Sequence, residues 1–216
     1  MSSHAAANTS SVASSAQAVG KVQRHKLVDR IYHWVMAICI LTLLATSLLP
    51  IVGWKFAWLT IHWVTGLVLT MGVIFHIIRA LFFQDPMSMV VDTKDVANLT
   101  AGGRPGKYNM AQKLYHLAIA ILILCGIATG LLMLRKIDTP FWERNAYWFG
   151  DKTWGFIYAI HDLVAMSLVT MIMIHIYFAL RPDEWFLTRS MFRGWISRKE
   201  YREHFDSKRW KAKEEP

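Results

Sequence analysis

The chain has 216 residues, 54% of them hydrophobic, and carries 24 Lys and Arg against 15 Asp and Glu for a formal charge of +9. Four runs of about twenty mostly apolar residues are each long enough to cross a bilayer core, which excludes a soluble all-helical protein. The positive charge is sorted by membrane side and calls for anionic lipid, with no nucleic-acid partner.

Residues 1–20 are rich in Ser and Ala and lack both an apolar core and a cationic start, so they read as a disordered tail rather than a cleaved signal peptide. Residues 21–183 form the membrane domain. Its first run, Ile31–Leu49, follows Lys21, Arg24, Lys26 and Arg30 and ends at Pro50. A short turn with Gly53 and Lys55 comes next, flanked by Trp54 and Trp58 as interface anchors. The second run, Trp58–Phe82, contains Arg79 near its end. Residues 84–111 form a polar loop broken by Pro86, Gly102, Gly103, Pro105 and Gly106. The third run, Leu114–Leu134, leads to a loop over 135–153 with Phe141, Trp142, Tyr147, Trp148 and Phe149. Those aromatics serve as interface anchors and offer a docking surface to an external partner. The fourth run, Trp154–Leu180, is followed by a basic tail over 184–216 that interleaves Trp185, Phe186, Phe192, Trp195, Tyr201 and Trp210, the pattern of a helix lying on the membrane surface. Of the basic residues, only Lys55, Arg135, Lys136, Arg144 and Lys152 fall on the other side, so the positive-inside rule places both termini in the cytoplasm. The predicted fold is an all-α, four-transmembrane-helix bundle with a C-terminal interfacial helix.

Histidines mark the chemistry. His161 and His175 stand fourteen residues apart in one run, about 21 Å of helical rise, with side chains within about 40° of each other. His62 and His76 repeat the spacing in the second run. Imidazole is costly in hydrocarbon, so two on one face at opposite depths call for a function. His62 and His161 lie near the external starts of their runs. His76 and His175 lie near cytoplasmic ends, and His33 and His116 near cytoplasmic starts. A six-coordinate haem takes two imidazoles at one depth from different helices. Externally, only His62 with His161 meets that need. On the cytoplasmic side His175 can pair with His33, His76 or His116, and the repeated spacing favours His76. Cys39 and Cys125 form no CxxC or CxxCH pattern, so any haem here is non-covalent, of b type. Two stacked haems b imply transmembrane electron transfer. The remote alternative, a histidine-based proton or metal transporter or a membrane anchor, fits less well. A proton path distributes acids along one route, and Asp162 beside His161 is the sole acid deep in a run. His4, His25 and His204 lie in polar flanks.

The segment Leu27-Val28-Asp29-Arg30-Ile31-Tyr32-His33-Trp34 resembles the D-R-x-x-H-W opening of the gamma, cytochrome b subunits of respiratory formate dehydrogenases, within the wider di-haem cytochrome b561-like membrane family. His62-Trp63-Val64-Thr65-Gly66 is similar to that family's H-x-x-x-G motif, and Gly106 to Lys113 (G-K-Y-N-M-A-Q-K) to its G-K-Y-N-x-G-Q-K segment. His161 with His175 matches its fourth-helix pair, and Gly194-Trp195 lies in a similar tail. The resemblance implies an inner haem between His33 and His175, with His76 as the alternative ligand, and an outer haem between His62 and His161. It further implies that menaquinone or ubiquinone is reduced beside Asn109 and Gln112, whose amides can bond quinone carbonyls without carrying charge. Helix N-capping is the competing role for these two. His116, one turn on, is a candidate proton donor. Ala111 replaces the family's glycine and adds a methyl to the pocket. The implied complex sits in the bacterial inner membrane, with a periplasmic iron–sulfur subunit and a catalytic dehydrogenase subunit. This chain, which has no molybdopterin, nickel or iron–sulfur motif, is its quinone-reducing electron-transfer subunit. The alternatives are a stand-alone cytochrome b561-type oxidoreductase or the cytochrome b subunit of a hydrogenase or sulfur-compound reductase.

Overall fold

The computed structural model describes residues 20–212 and 214–215; all of the predicted N-terminal tail except Gly20, including His4, lies outside them. In chain order the elements are β1 (Lys21–Gln23), α1 (Leu27–Leu48), α2 (Trp58–Phe83), α3 (Thr93–Ala101), α4 (Met110–Met133), α5 (Asp151–Leu180), α6 (Trp185–Arg193), β2 (Trp195–Ser197), α7 (Arg198–His204) and β3 (Glu214–Glu215). The chain is mostly helical, and α1, α2, α4 and α5 are long and apolar enough to cross a membrane.

Three of these helices begin three or four residues before the apolar runs that predict them. The reason is local chemistry that hydropathy does not register. At α1 the Asp29 carboxylate accepts the Lys26 backbone N–H at 3.2 Å. At α4 Asn109 and Gln112 cap each other, and α5 opens on Asp151. The first two use a polar side chain to bond backbone N–H groups that otherwise lack partners, and Asp151 places an acidic residue in the first turn of α5, at the positive end of the helix dipole. The turn between α1 and α2 needs Gly53, whose φ of 93° is left-handed backbone that favours glycine.

The chain divides into two compact units. One comprises residues 32–86 and 115–176 and holds most of the four long helices. Its core packs Met36, Cys39 and Leu69 against Tyr32, Ile40, Leu43, Val73, Ile123 and Ile127. Outward faces are apolar, with Ile38, Leu41, Met71, Leu124, Leu163 and Met173 all exposed. That distribution suits a lipid environment, in which no hydrophobic force drives helices together and small residues set their approach. Gly72 is one: a Cβ there would lie 2.6 Å from the Met36 Sδ.

The other unit comprises residues 20–31, 87–114 and 177–215. Here the sequence reading of one surface helix gives way to two short helices around a strand. Gly194, with φ 89°, ends α6, and its carbonyl accepts the backbone N–H groups of Arg24 and His25 at 2.9 and 3.0 Å. That lays β1 between β2 and β3 in an antiparallel sheet, with Val22 opposite Ile196 and Glu214. Strands of two or three residues are too short to display an alternating pattern. Val22 and Ile196 are fully buried with Tyr201 and Phe205. Arg24, 4% exposed, lies 4.9 Å from the Phe205 ring and 5.4 Å from that of Trp210, and donates to the Lys107 carbonyl. Burial pulls its pKa down to about 10, so it stays cationic at neutral pH.

A buried ion network ties residues 92–113 to the C-terminal segment. Asp95, with a side chain 1% exposed, accepts from Lys113 at 2.7 Å and from Arg209 at 2.8 Å. Lys113 also donates to the Val90 carbonyl, and Arg209 pairs with Asp92. Burial works to raise the Asp95 carboxyl, but hydrogen bonds from Lys113, the chain at Asp92 and Arg209 outweigh it and hold it well below the usual carboxylate range. The depressed pKa means its stabilisation is complete above the ordinary carboxylate pKa and fades as pH falls through the lower, folded value. Asp95→Ala leaves the Lys113 ammonium buried without its counter-ion and should cost about 3–5 kcal/mol. In detergent, its thermal unfolding should fall well below the parent's at neutral pH, with the gap narrowing under strongly acid conditions.

Candidate functional site

Three pairs of histidines have ring centres 6.1–6.2 Å apart within the unit of residues 32–86 and 115–176, and two of the pairs share α5. His62 on α2 and His161 on α5 have ring centres 6.1 Å apart. His33 on α1 and His175 on α5 have ring centres 6.2 Å apart. A metal ion bonded to one nitrogen of each ring, at about 2 Å per bond and about 1.1 Å from nitrogen to ring centre, requires centres about 6.2 Å apart. Both of these pairs meet that separation, with the rings rotated by 69° and 51°, and so does His76 on α2 with His116 on α4, at 6.2 Å and 57°; only the first two share a helix, α5. Rotation about the metal–nitrogen axis leaves the bond intact. On this observation the residues would fit two metal-centred groups, each held by one imidazole from either of two helices, about four turns of α5 apart.

An apolar cavity of about 510 Å³ surrounds the first pair, within the ~300–1,000 Å³ range of cofactor sites. Glycines make the room. A Cβ at Gly130 would stand 3.4 Å from His161 Cε1, and one at Gly126 would stand 3.3 Å from Val164 Cγ1, so α4 presents bare backbone to α5. Lys136 and Arg144 supply cations to the lining.

Each ring of this pair is also held from behind. His62 Nδ1 is 2.8 Å from Thr46 Oγ1, and His161 Nδ1 is 2.8 Å from Thr129 Oγ1. Each hydroxyl donates its proton to carbonyls of its own preceding turn, Thr46 to Thr42 and Leu43 and Thr129 to Cys125 and Gly126. The threonine oxygen is then free to accept from Nδ1–H, the tautomer that leaves the lone pair on Nε2. Sequence reasoning missed both threonines. A Thr in an apolar run reads as a residue bonding its own helix, and nothing in its spacing reveals a histidine on the next helix.

The remaining predicted residues separate. His76 stacks on Tyr32, ring centres 5.0 Å apart and 13° from parallel, and lies 6.2 Å from His116. His175 has Tyr115 stacked against it at 5.6 Å, the phenol donating to the Met171 carbonyl. Asp162 lies on the exposed side of α5. In the other unit, Asn109 and Gln112 form a reciprocal cap. The Asn109 side-chain oxygen accepts the Gln112 N–H at 2.8 Å, and the Gln112 oxygen accepts the Asn109 N–H at 3.1 Å. These bonds engage the amide oxygens, and the NH2 groups are donors suited to a carbonyl ligand. Both residues line a cavity of about 360 Å³ with Ala111, Glu184, Phe186 and His204. Asn109→Ala should cost about 0.5–2 kcal/mol through loss of the cap, whereas Asn109→Ser keeps a good capping residue. Comparison of the two variants' thermal melts checks this.

A family model described as prokaryotic cytochrome b561 matches residues 24–194. The chain is 25% identical over 191 residues to the formate dehydrogenase cytochrome b556(fdo) subunit of Escherichia coli strain K12, covering 82% of this chain and 86% of that relative. It is 24% identical to the formate dehydrogenase cytochrome b556 subunit of Haemophilus influenzae, over 90% of this chain and 84% of the relative. With the nitrate-inducible formate dehydrogenase cytochrome b556(Fdn) subunit of Escherichia coli O157:H7 the identity is 27%, over 90% and 88%.

Proposed function

Because the chain belongs to the prokaryotic cytochrome b561 family, we propose that it is the membrane subunit of a formate-dehydrogenase-like oxidoreductase. It passes electrons from a periplasmic iron–sulfur and dehydrogenase partner to quinone at the cytoplasmic side of the bacterial inner membrane. The observation that carries this reading is the pair of facing imidazole couples, 6.1 and 6.2 Å across, that share α5. Two haems b, one between His62 and His161 and one between His33 and His175, would supply a one-electron relay between the membrane faces. The apposition of His33 to His175 supports His33 as the inner ligand, with His76 engaged by Tyr32 and His116. Lys136 and Arg144 suit the carboxylates of a haem held by His62 and His161.

Quinone takes two electrons and two protons to become quinol, and the amide NH2 groups of Asn109 and Gln112 bond its carbonyls while their oxygens hold the start of α4. His116 remains the candidate proton donor. The distribution of basic residues supports cytoplasmic termini, and α6, with Trp185 and Phe192 exposed, fits the membrane surface on that side. Phe141, Trp148 and Tyr147, the last 95% exposed, form an aromatic surface for the external partner. That surface favours a subunit of a complex over a stand-alone oxidoreductase.

The purified protein should contain two haems b per chain by pyridine haemochrome, with b-type bands in the dithionite-reduced spectrum. His33→Ala, His62→Ala, His161→Ala and His175→Ala should each lose one haem, and His76→Ala should keep both. A chain with one haem or none defeats this reading. Asn109→Ser keeps the cap but loses the amide donor, so the KM for quinone should rise about three- to tenfold, the worth of one hydrogen bond, with haem content unchanged.

A further inference from the structure

We propose that Thr46 and Thr129 are positioning residues that set the protonation and electron-donating strength of His62 and His161, and so lower the reduction potential of the centre those histidines hold. The inference rests on the reading of His62 and His161 as metal ligands. Its basis is a device that occurs twice. Thr46 on α1 bonds the histidine of α2, and Thr129 on α4 bonds the histidine of α5, each at 2.8 Å to Nδ1. Both threonines are buried, at 3% and 8% exposure, so water does not compete for the contact.

A threonine inside a helix commonly returns its proton to a carbonyl one turn back, and that alone would make these residues local helix features. Here the local bond is half of the arrangement. With the hydroxyl proton committed to the preceding turn, the oxygen faces the ring only as an acceptor, and both rings must carry hydrogen on Nδ1. Nε2 is then the nitrogen available to a metal. A hydrogen bond from Nδ1–H to an acceptor shifts electron density toward Nε2 and fixes the ring's orientation, as outer partners of metal-bound histidines do. The stronger donor favours the oxidised metal, so the potential falls. The second pair is built differently. His33 Nδ1 is buried with no hydrogen-bond partner, so that ring lacks the same reinforcement.

The test is potentiometric titration of the purified, haem-replete protein, followed by its b-band absorbance and by low-temperature EPR. Thr46→Val and Thr129→Val keep the side-chain shape and remove the acceptor. Each should raise the midpoint potential of one haem, the one lost in His62→Ala, and leave the other unchanged. The double variant should raise it further, and Thr46→Ser and Thr129→Ser, which retain a hydroxyl, should restore the parent value. Unchanged potentials and EPR in both valine variants, with two haems present, would overturn the proposal. So would a shift in the haem lost in His175→Ala. If the valine variants lose haem, the serine variants decide: parent haem content and potential support the hydrogen bond, and loss in these too identifies packing as the role. A His62→Ala protein that keeps both haems defeats the ligand reading itself. One that loses a single haem, beside an unshifted Thr46→Val, defeats only the role of the threonines.

Discussion

An imidazole placed among hydrocarbon is costly unless its ring nitrogens find partners, and the surroundings of His62 and His161 are arranged around that demand. One nitrogen of His62 and of His161 is satisfied by a threonine on a neighbouring helix, and the two ring centres lie 6.1 Å apart. The constraint propagates outward. Helices must approach closely enough for a threonine to reach a histidine, so α4 presents Gly126 and Gly130 to α5. Backbone groups have no water to bond, so the elements that carry these residues are long helices.

The second unit answers to different physics. It is held by a small apolar core around Val22 and Ile196 and by charges removed from water in pairs, Asp95 with Lys113 and Arg209. Its sheet joins β1, near the start of the described residues, to two strands near their end, and the Gly194 carbonyl accepts from the backbone just after β1. The unit also contains Asn109 and Gln112, the amide residues proposed to contact quinone. Their capping role and their ligand role use opposite ends of the same amide, so one does not preclude the other. The family match covers residues of both units, 24–194.

The four spans were legible because a bilayer imposes one rule over some twenty consecutive residues, and any local window of sequence reports it. The histidines at 62, 161 and 175 were legible because charge-bearing rings stand out against an apolar background. The choice between His33 and His76 was less so, since fourteen-residue spacing favoured His76 and only a family motif favoured His33. Rotation about each helix axis decides which ring meets His175, and sequence spacing within one helix carries no information about another helix's rotation. For the same reason Thr46 and Thr129 were silent, as was Tyr115 against His175.

By itself, then, the sequence determined the number and approximate length of the candidate membrane helices and the position of each histidine along its helix. These are properties of single segments set by hydropathy and helical rise. Only the tertiary structure decided that His33 faces His175, that threonines back the rings of His62 and His161, and that residues 21–23 join the C-terminal strands. Each of those contacts is made between segments and depends on helix rotation, close approach at glycine, or pairing across nearly two hundred residues, none of which a one-dimensional pattern records.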